Sequence, residues 1–320
     1  MGKPFNFYSR FESGHRHDYI NFTKSSLGGD RTKLPYGFLS SKPLLFLMVE
    51  ECFILYCTIA FLRSLIGFTT IGFVFRAKDC IASQKIEHKI KVALLKAFKK
   101  IKKIHSISIV PFYTFAGLSE ICDDWLYDFQ FWDIEFLENT LDKSIIEKYV
   151  LSIKKQAKGR KVVCAIGKQD RSKGFDVFSS LYIENKFIQD NFYFVSGGKI
   201  SEISDTQVKL FSDSGALVIN ERISNEQLVA LYKSADLIWA CYSPCYDQSS
   251  GVLGRAIQYN LPVIVRENSV VEFILSELQY ENVLIEHLNA LPDKTKIYEM
   301  KKSPTNKTIK SKNKFFDLIN

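Results

Sequence analysis

Long uncharged apolar runs are scarce in this chain. The longest, inside the segment Leu44 to Phe75, is about a dozen residues, short of the roughly 20 that cross a bilayer. Glu50 and Glu51 break that segment at one end and Arg63 in its middle. It reads as a buried helix, Lys42 to Ser64, followed by a core strand, Thr69 to Phe75; a membrane-embedded helix is the alternative. The first residues, MGKPFNFYSRFE, lack the apolar core of a signal peptide, so no leader is expected. Metal-site patterning is also missing. Of seven cysteines, only Cys241 and Cys245 form a close pair in a loop, and no second Cys or His pair accompanies them. An odd, irregular set of thiols argues against a zinc site or a disulfide framework and fits a reducing, cytoplasmic compartment. Nucleic-acid binding is disfavoured, because the lysines are not interleaved with exposed aromatics and no nucleic-acid module is visible.

What the chain does have is globular composition: 320 residues, 46% hydrophobic and 24% charged, enough for two domains. Its net charge of +8 implies something acidic to meet, such as a phosphorylated substrate, an anionic membrane surface or nucleic acid. Much of that charge lies on a predicted amphipathic helix, Gln84 to Lys103. Ile86, Ile90, Ala93, Leu94, Ala97, Phe98 and Ile101 share one face, and lysines fill much of the rest. Such a helix can pack on a sheet and still present ammonium groups to anionic lipid; a plain solvated face is the other reading.

In the first half, Phe5 to Phe11 reads as a strand, Glu12 to His17 as a turn, and Asp18 to Leu27 as a helix. His15 and His17 therefore sit on the first strand-to-helix loop, where open α/β sheets bind ligands, unless they are simply solvated. His105 to Phe115 reads as another strand. Asp123 to Asp128 and Phe131 to Asp133 place carboxylates beside aromatic rings. That pairing suits a sugar, and equally an ordinary hydrophobic edge. Ser144 to Lys158 reads as the helix before a boundary, dividing the chain into 1–150, 151–290 and a basic tail, 291–320.

The second half is regular. Strands are expected at Lys161 to Ile166, Phe192 to Val195, Ala216 to Ile219, Leu237 to Ala240 and the apolar run ending at Val265, with helices between them. Ser224 and Gln227 form a capping box. Repeated β-α units predict an α/β fold with a parallel, doubly wound sheet and a ligand crevice at its strand ends. Three loops would line that crevice: Lys168 and Lys173 from the first, Arg222 from another, and Asp247 to Ser250 with Arg255 from the last. Ser249, Ser250 and Gly251 open a helix whose free N–H groups make an anion site, or are merely capped. Two ammonium groups facing that helix start would hold a diphosphate.

Gly167-Lys168 with Lys173-Gly174, the run SNEQLVALYKSAD (Ser224 to Asp236) and SSGVLGRAIQYNLPVIV together resemble the C-terminal domain of retaining GT-B glycosyltransferases of the E-x7-E type. The resemblance spans roughly Lys161 to Glu272; the first half matches in outline only. It implies two Rossmann-like domains facing across a cleft, the second holding a nucleoside-diphosphate sugar and the first an acceptor, with no metal or other cofactor. By resemblance, Lys173 is the diphosphate lysine and Lys168 stands where arginine is usual. Asp247 takes the first glutamate position, on the donor sugar, and Gly198 ends the second strand on the donor side. Ile223 takes the position that reads the base, and Arg255 replaces the second glutamate, which grips the ribose. Arginine cannot accept a hydrogen bond, so ribose recognition differs or activity is lost. The implied activity is transfer to a lipid-linked or polysaccharide acceptor at the cytosolic membrane face, with His15 or His17 on the acceptor side. A non-catalytic scaffold and a sugar-nucleotide epimerase are the alternatives.

Overall fold

The structure is a computed structural model describing residues 4–12, 15–34, 36–248, 250–286 and 305–319. The chain divides into two compact units, the first comprising Met1–Phe129 with Asn306–Asn320 and the second Gln130–Thr305. The first unit runs β1 (Asn6–Tyr8), α1 (His15–Ser25), β2 (Asp30–Arg31), α2 (Tyr36–Leu39), β3 (Leu44–Phe46), α3 (Phe53–Leu65), β4 (Thr70–Val74), α4 (Ala77–Ala82), α5 (Ile86–Phe98), β5 (Ile104–Ser108), α6 (Leu118–Ile121) and β6 (Asp124–Trp125). Its six strands lie in the order β2-β1-β3-β4-β5-β6, all parallel.

The second unit begins with α7 (Ile134–Glu138) and α8 (Lys143–Ala157). It continues β7 (Lys161–Ile166), α9 (Phe175–Glu184), α10 (Lys186–Asn191), β8 (Phe192–Gly197), α11 (Asp205–Asp213), β9 (Leu217–Ile219) and α12 (Asn225–Ser234). Then come β10 (Leu237–Trp239), α13 (Gly251–Gln258), β11 (Val263–Val265), α14 (Val270–Glu277) and β12 (Asn282–Leu284). Its parallel order is β12-β11-β10-β7-β8-β9. Strands buried on both faces favour the continuous Val/Ile/Phe runs seen here. The core of this unit packs Phe178 between Phe194, Phe211 and Trp239. The capping box is formed: Gln227 N–H donates to Ser224 Oγ at 3.2 Å, and Ser224 N–H to Gln227 Oε1 at 2.8 Å.

Several sequence expectations need correction, among them the loop expected to hold His15 and His17, since α1 already begins at His15. The helix read as Lys42 to Ser64 is two elements, because Leu44, Leu45 and Phe46 are fully buried as β3 between β1 and β4. Glu50 and Glu51 turn the chain before α3 begins. The strand read as His105 to Phe115 ends at Ser108, whose hydroxyl folds back to bond with residue 110 as the chain turns into Pro111. The unit boundary falls at Phe129/Gln130 rather than at 150, because α7 and its approach belong to the second unit. Gln258 Oε1 accepts from Ile134 N–H at 3.0 Å, and Leu137 packs with Ile146, Val229 and Ala230. Lastly, the chain read as a tail ends in a helix, α15 (Thr305–Ile319), docked on the first unit; residues 291–304 of that reading lie outside the described residues.

The α15 helix is held by Phe315, fully buried against Phe5, Phe73 and Phe129 at ring separations of 5.8, 6.1 and 5.6 Å. Ser311 Oγ accepts from Tyr127 N–H at 2.8 Å, and Lys314 pairs with Asp124. Phe315→Ala should therefore cost about 3 to 5 kcal/mol, read as a lower midpoint in chemical unfolding of the full chain. A surface role would leave the midpoint unchanged.

Arg63, which interrupted the apolar segment, is completely buried. Its guanidinium donates to the carbonyls of Gly37, Phe38 and Ser40, each at 2.8 Å, and to that of Lys42 at 2.7 Å. It also reaches Thr69 O and Thr70 Oγ1, both at 3.1 Å. Carbonyls of α2 and of the loop after it are thus satisfied by a side chain instead of a ladder. Burial lowers the Arg63 pKa to about 10, so the group stays charged at neutral pH. No helix among the described residues is long and apolar enough to cross a membrane.

Candidate functional site

In the second unit the chain leaves β7 toward β8 and β9 on one side and returns to β10, β11 and β12 on the other. Loops diverge at such a switch point, leaving a crevice outside the strand ends. The loops after β7 and β10 are the ones brought together. Ser243 N–H donates to Ser172 O at 3.0 Å. Gly174 has φ +70°, and a Cβ there would sit 2.1 Å from Cys241 O, so only glycine lets the two backbones approach this closely. The loop after β8 joins them: Gly198, φ +142°, lies against Gly167, whose carbonyl would be 1.9 Å from any Cβ. Gln169 N–H donates to Lys199 O and Ser201 N–H to Gln169 O, both at 2.9 Å.

Lys173 ends the short turn before α9 and runs between two rings. Its ammonium lies 4.1 Å from the Tyr242 ring centre and 4.2 Å from that of Tyr246, within cation–π range. Burial lowers its pKa to about 8, with Asp170 pulling the other way. The Tyr242 hydroxyl is hydrogen-bonded to Ser250 Oγ at 2.5 Å, and that oxygen also accepts from Val252 N–H at 3.2 Å as the N-cap of α13. One buried tyrosine therefore touches both the lysine and the start of α13. Gln130 Oε1 lies close against Gly251, the first residue of the helix. Lys168 is exposed and pairs with Asp170 at 3.0 Å, which raises the Lys168 pKa. Burial alone would raise the Asp170 pKa, but bonds from Ser172, Lys168 and Lys173 N–H hold it below its usual value. Cys245, in the turn beside Tyr246, is exposed.

The other expected donor residues have different surroundings. Asp247 Oδ1 accepts from Val270 N–H at 2.8 Å at the start of α14, and its carboxylate is 3.6 Å from Arg266. Arg255 is buried in an ion pair with Asp133 at 2.6 Å. Arg222 is exposed and Ile223 half-buried, just ahead of α12. Ser249 lies outside the described residues. Thus Lys173 and Ser250 meet on Tyr242, Lys168 is held on the same loop as Lys173, and Asp247 and Arg255 are bonded to protein groups. The aromatic-acidic segment behaves as a structural edge: Asp123 takes Ser106 N–H at 2.7 Å, Asp128 takes the Tyr19 hydroxyl, and Asp133 takes Arg255.

The first unit has its own switch point, between β1 and β3. His15 opens α1 and His17 is exposed in its first turn. Arg10 and Arg16 flank the Phe11 ring at 5.2 and 5.5 Å. Arg16 pairs with Glu51, and Arg10 donates to Glu51 O at 2.7 Å. Glu50 Oε1 accepts from Arg76 N–H at 2.7 Å, while its Oε2 is buried with no hydrogen-bond partner among the described residues. Burial raises the Glu50 pKa. Sequence reasoning missed these carboxylates; the available signal was their position directly after a fully buried strand. Among the described residues, no group of three His, Cys, Asp or Glu side chains is placed to hold a metal ion.

The sequence matches no protein-family model and no curated protein. Solved structures do resemble it. The N-terminal domain of a trehalose-6-phosphate phosphatase from Candida albicans is 13% identical, with 97% of this chain and 78% of that one covered at TM-score 0.60. A glycosyltransferase from Rickettsia africae is 12% identical, covering 98% and 94% at TM-score 0.58. A UDP-forming α,α-trehalose-phosphate synthase from Burkholderia xenovorans is 12% identical, covering 89% and 74% at TM-score 0.55. Such identities speak to the fold alone, and the fold is the two-unit α/β architecture of the GT-B type.

Proposed function

We propose that the chain is a glycosyltransferase that moves a sugar, with retention and without a metal, from a nucleoside-diphosphate sugar to a hydroxyl of a lipid-linked or polysaccharide acceptor on the cytoplasmic face of a membrane. The observation that carries this reading is the meeting of Lys173 and the Ser250 cap of α13 on Tyr242 at a sheet switch point. Fixed positive charge near the N-terminal end of a helix suits a diphosphate leaving group. Residues 249 to 251 and Lys173 would take the phosphates, with Lys168 released from Asp170 to join them. Gly198, Arg222 and Ile223 border the donor side. Catalysis by such a site acts through positioning and charge stabilisation, with little bond chemistry from the protein. A structural neighbour described as a UDP-forming synthase supports a nucleoside diphosphate as the product. His15 or His17 is the acceptor-side candidate.

Calorimetry against a panel of nucleotide sugars tests the reading. One donor should bind, with product formed on adding acceptor. Binding of none would remove it and favour the second reading, a non-catalytic protein of this fold. Two contacts motivate that second reading: Asp247 is bonded to Val270 N–H at the start of α14 and Arg255 is consumed by Asp133.

A further inference from the structure

Three neighbouring helices of the first unit turn apolar side chains outward. On α5 the buried residues are Leu95 and Phe98, so the strip Ile86, Ile90, Leu94 and Ala97 faces away from the sheet; Ile86 is 77% exposed and Ile90 54%. This corrects the expectation that the shared apolar face would pack. On α3, Tyr56, Ile59, Ala60 and Arg63 point inward, leaving Ile54 at 82% exposure and Leu65 at 67% with Phe61 between them. Next to α3, α2 adds Tyr36 and Leu39, both exposed. The Lys91 ammonium over the Phe53 ring, at 5.8 Å, ties α5 to α3. Single exposed apolar residues are ordinary, but a set shared by three adjacent helices marks an interaction surface.

The charge around this set selects the partner. Neither α2 nor α3 contains an acidic residue, and α5 has only Glu87. Lys89 and Lys100 follow one border of the α5 strip and Lys85 stands at its start, while Lys96 between them is paired with Glu120 of α6 at 2.6 Å. A second copy of the chain would set lysine border against lysine border. A nucleic acid would meet the ammonium groups and leave the isoleucines and leucines with nothing to enter. Phosphate headgroups lying over acyl chains answer both halves of the pattern. We propose that the α2–α3–α5 face docks on an anionic lipid surface, with Ile54, Phe61, Leu65, Ile86 and Ile90 entering the acyl boundary. The surface is independent of the donor site and stands whether or not the transferase reading does.

The test uses the full chain with vesicles of phosphatidylcholine alone and of two parts phosphatidylcholine to one part phosphatidylglycerol. The chain should co-sediment with the mixed vesicles far better than with the neutral ones, and added salt should weaken the association. Lys89→Ala with Lys100→Ala should weaken it about fivefold per lysine. Leu65→Ser with Ile90→Ser, both on exposed positions, should weaken it at least about tenfold while leaving the thermal midpoint unchanged. Equal binding to both vesicle types, or none to either, overturns the proposal, as does failure of either variant pair to weaken binding. A dimer by light scattering that Leu65→Ser with Ile90→Ser dissolves would assign the face to a second copy and overturn it. Retention on duplex DNA without vesicle binding would overturn it too.

Discussion

Replacing Arg63 with methionine is expected to destabilise the first unit by about 4 kcal/mol or more. Methionine keeps an unbranched aliphatic stem in place of arginine's, so packing loss is small. What disappears is the donor set for five backbone carbonyls and one hydroxyl. Each buried acceptor left without a partner costs about 1 to 3 kcal/mol. Arg63→Lys should rescue little, because an ammonium offers three donors from one point while these carbonyls surround a planar fork. Chemical unfolding with a probe in the first unit measures the loss. A midpoint within error of the parent chain would mean that water replaces the guanidinium at no cost.

The second large effect concerns Lys173 and pH. In the free protein its pKa is lowered to about 8 by burial between Tyr242 and Tyr246, with Asp170 the carboxylate that opposes the shift. On the proposed reading a diphosphate binds the protonated form, so donor affinity should be level below pH 8 and fall about tenfold per pH unit above it. Proton uptake on binding near that pH would appear as buffer-dependent heat in calorimetry. Lys173→Ala should weaken donor binding about thirtyfold, equivalent to one charge-assisted bond of about 2 kcal/mol, and flatten the pH profile. The sign for folding is opposite. A lysine pKa lowered in the folded state means the unfolded chain holds the proton more tightly between about pH 8 and the usual lysine range, so this group's contribution to stability rises with pH across that window. Removing the ammonium should therefore not lower the melting midpoint. A profile unchanged in Lys173→Ala would place the titrating group elsewhere.

Which features were legible in the sequence follows from how far apart their partners lie. The strands of the second unit could be read because each is a local run of Val, Ile, Phe or Cys, and the Ser224–Gln227 box because its members are three residues apart. Lys173 and the α13 start were suggested by two cations on a loop after a core strand and a Ser-Ser-Gly helix opening, but Tyr242, which joins them, carried no motif. Asp133 and Arg255 are 122 residues apart, and no local pattern announces such a pair. The two ends of α5 tell the same story. Periodicity identified the helix and its apolar strip, yet which side meets the sheet depended on Leu95 and Phe98 fitting the core, a property of the neighbours rather than of the helix. Glu50, Glu51 and Arg63 looked like interruptions of an apolar run because their acceptors and donors belong to other segments.

The seven free thiols also sort themselves by reactivity. Burial pushes Cys52 and Cys57 up to about 12 and raises Cys80, Cys122, Cys164 and Cys241 as well, so none of the six presents a thiolate near neutrality. Cys245 alone is exposed, one residue from the ring that covers Lys173. A maleimide dye added to the unaltered protein would thus settle at a single address, and its emission would test whether the proposed donor arrives there without any cysteine having to be engineered in or out.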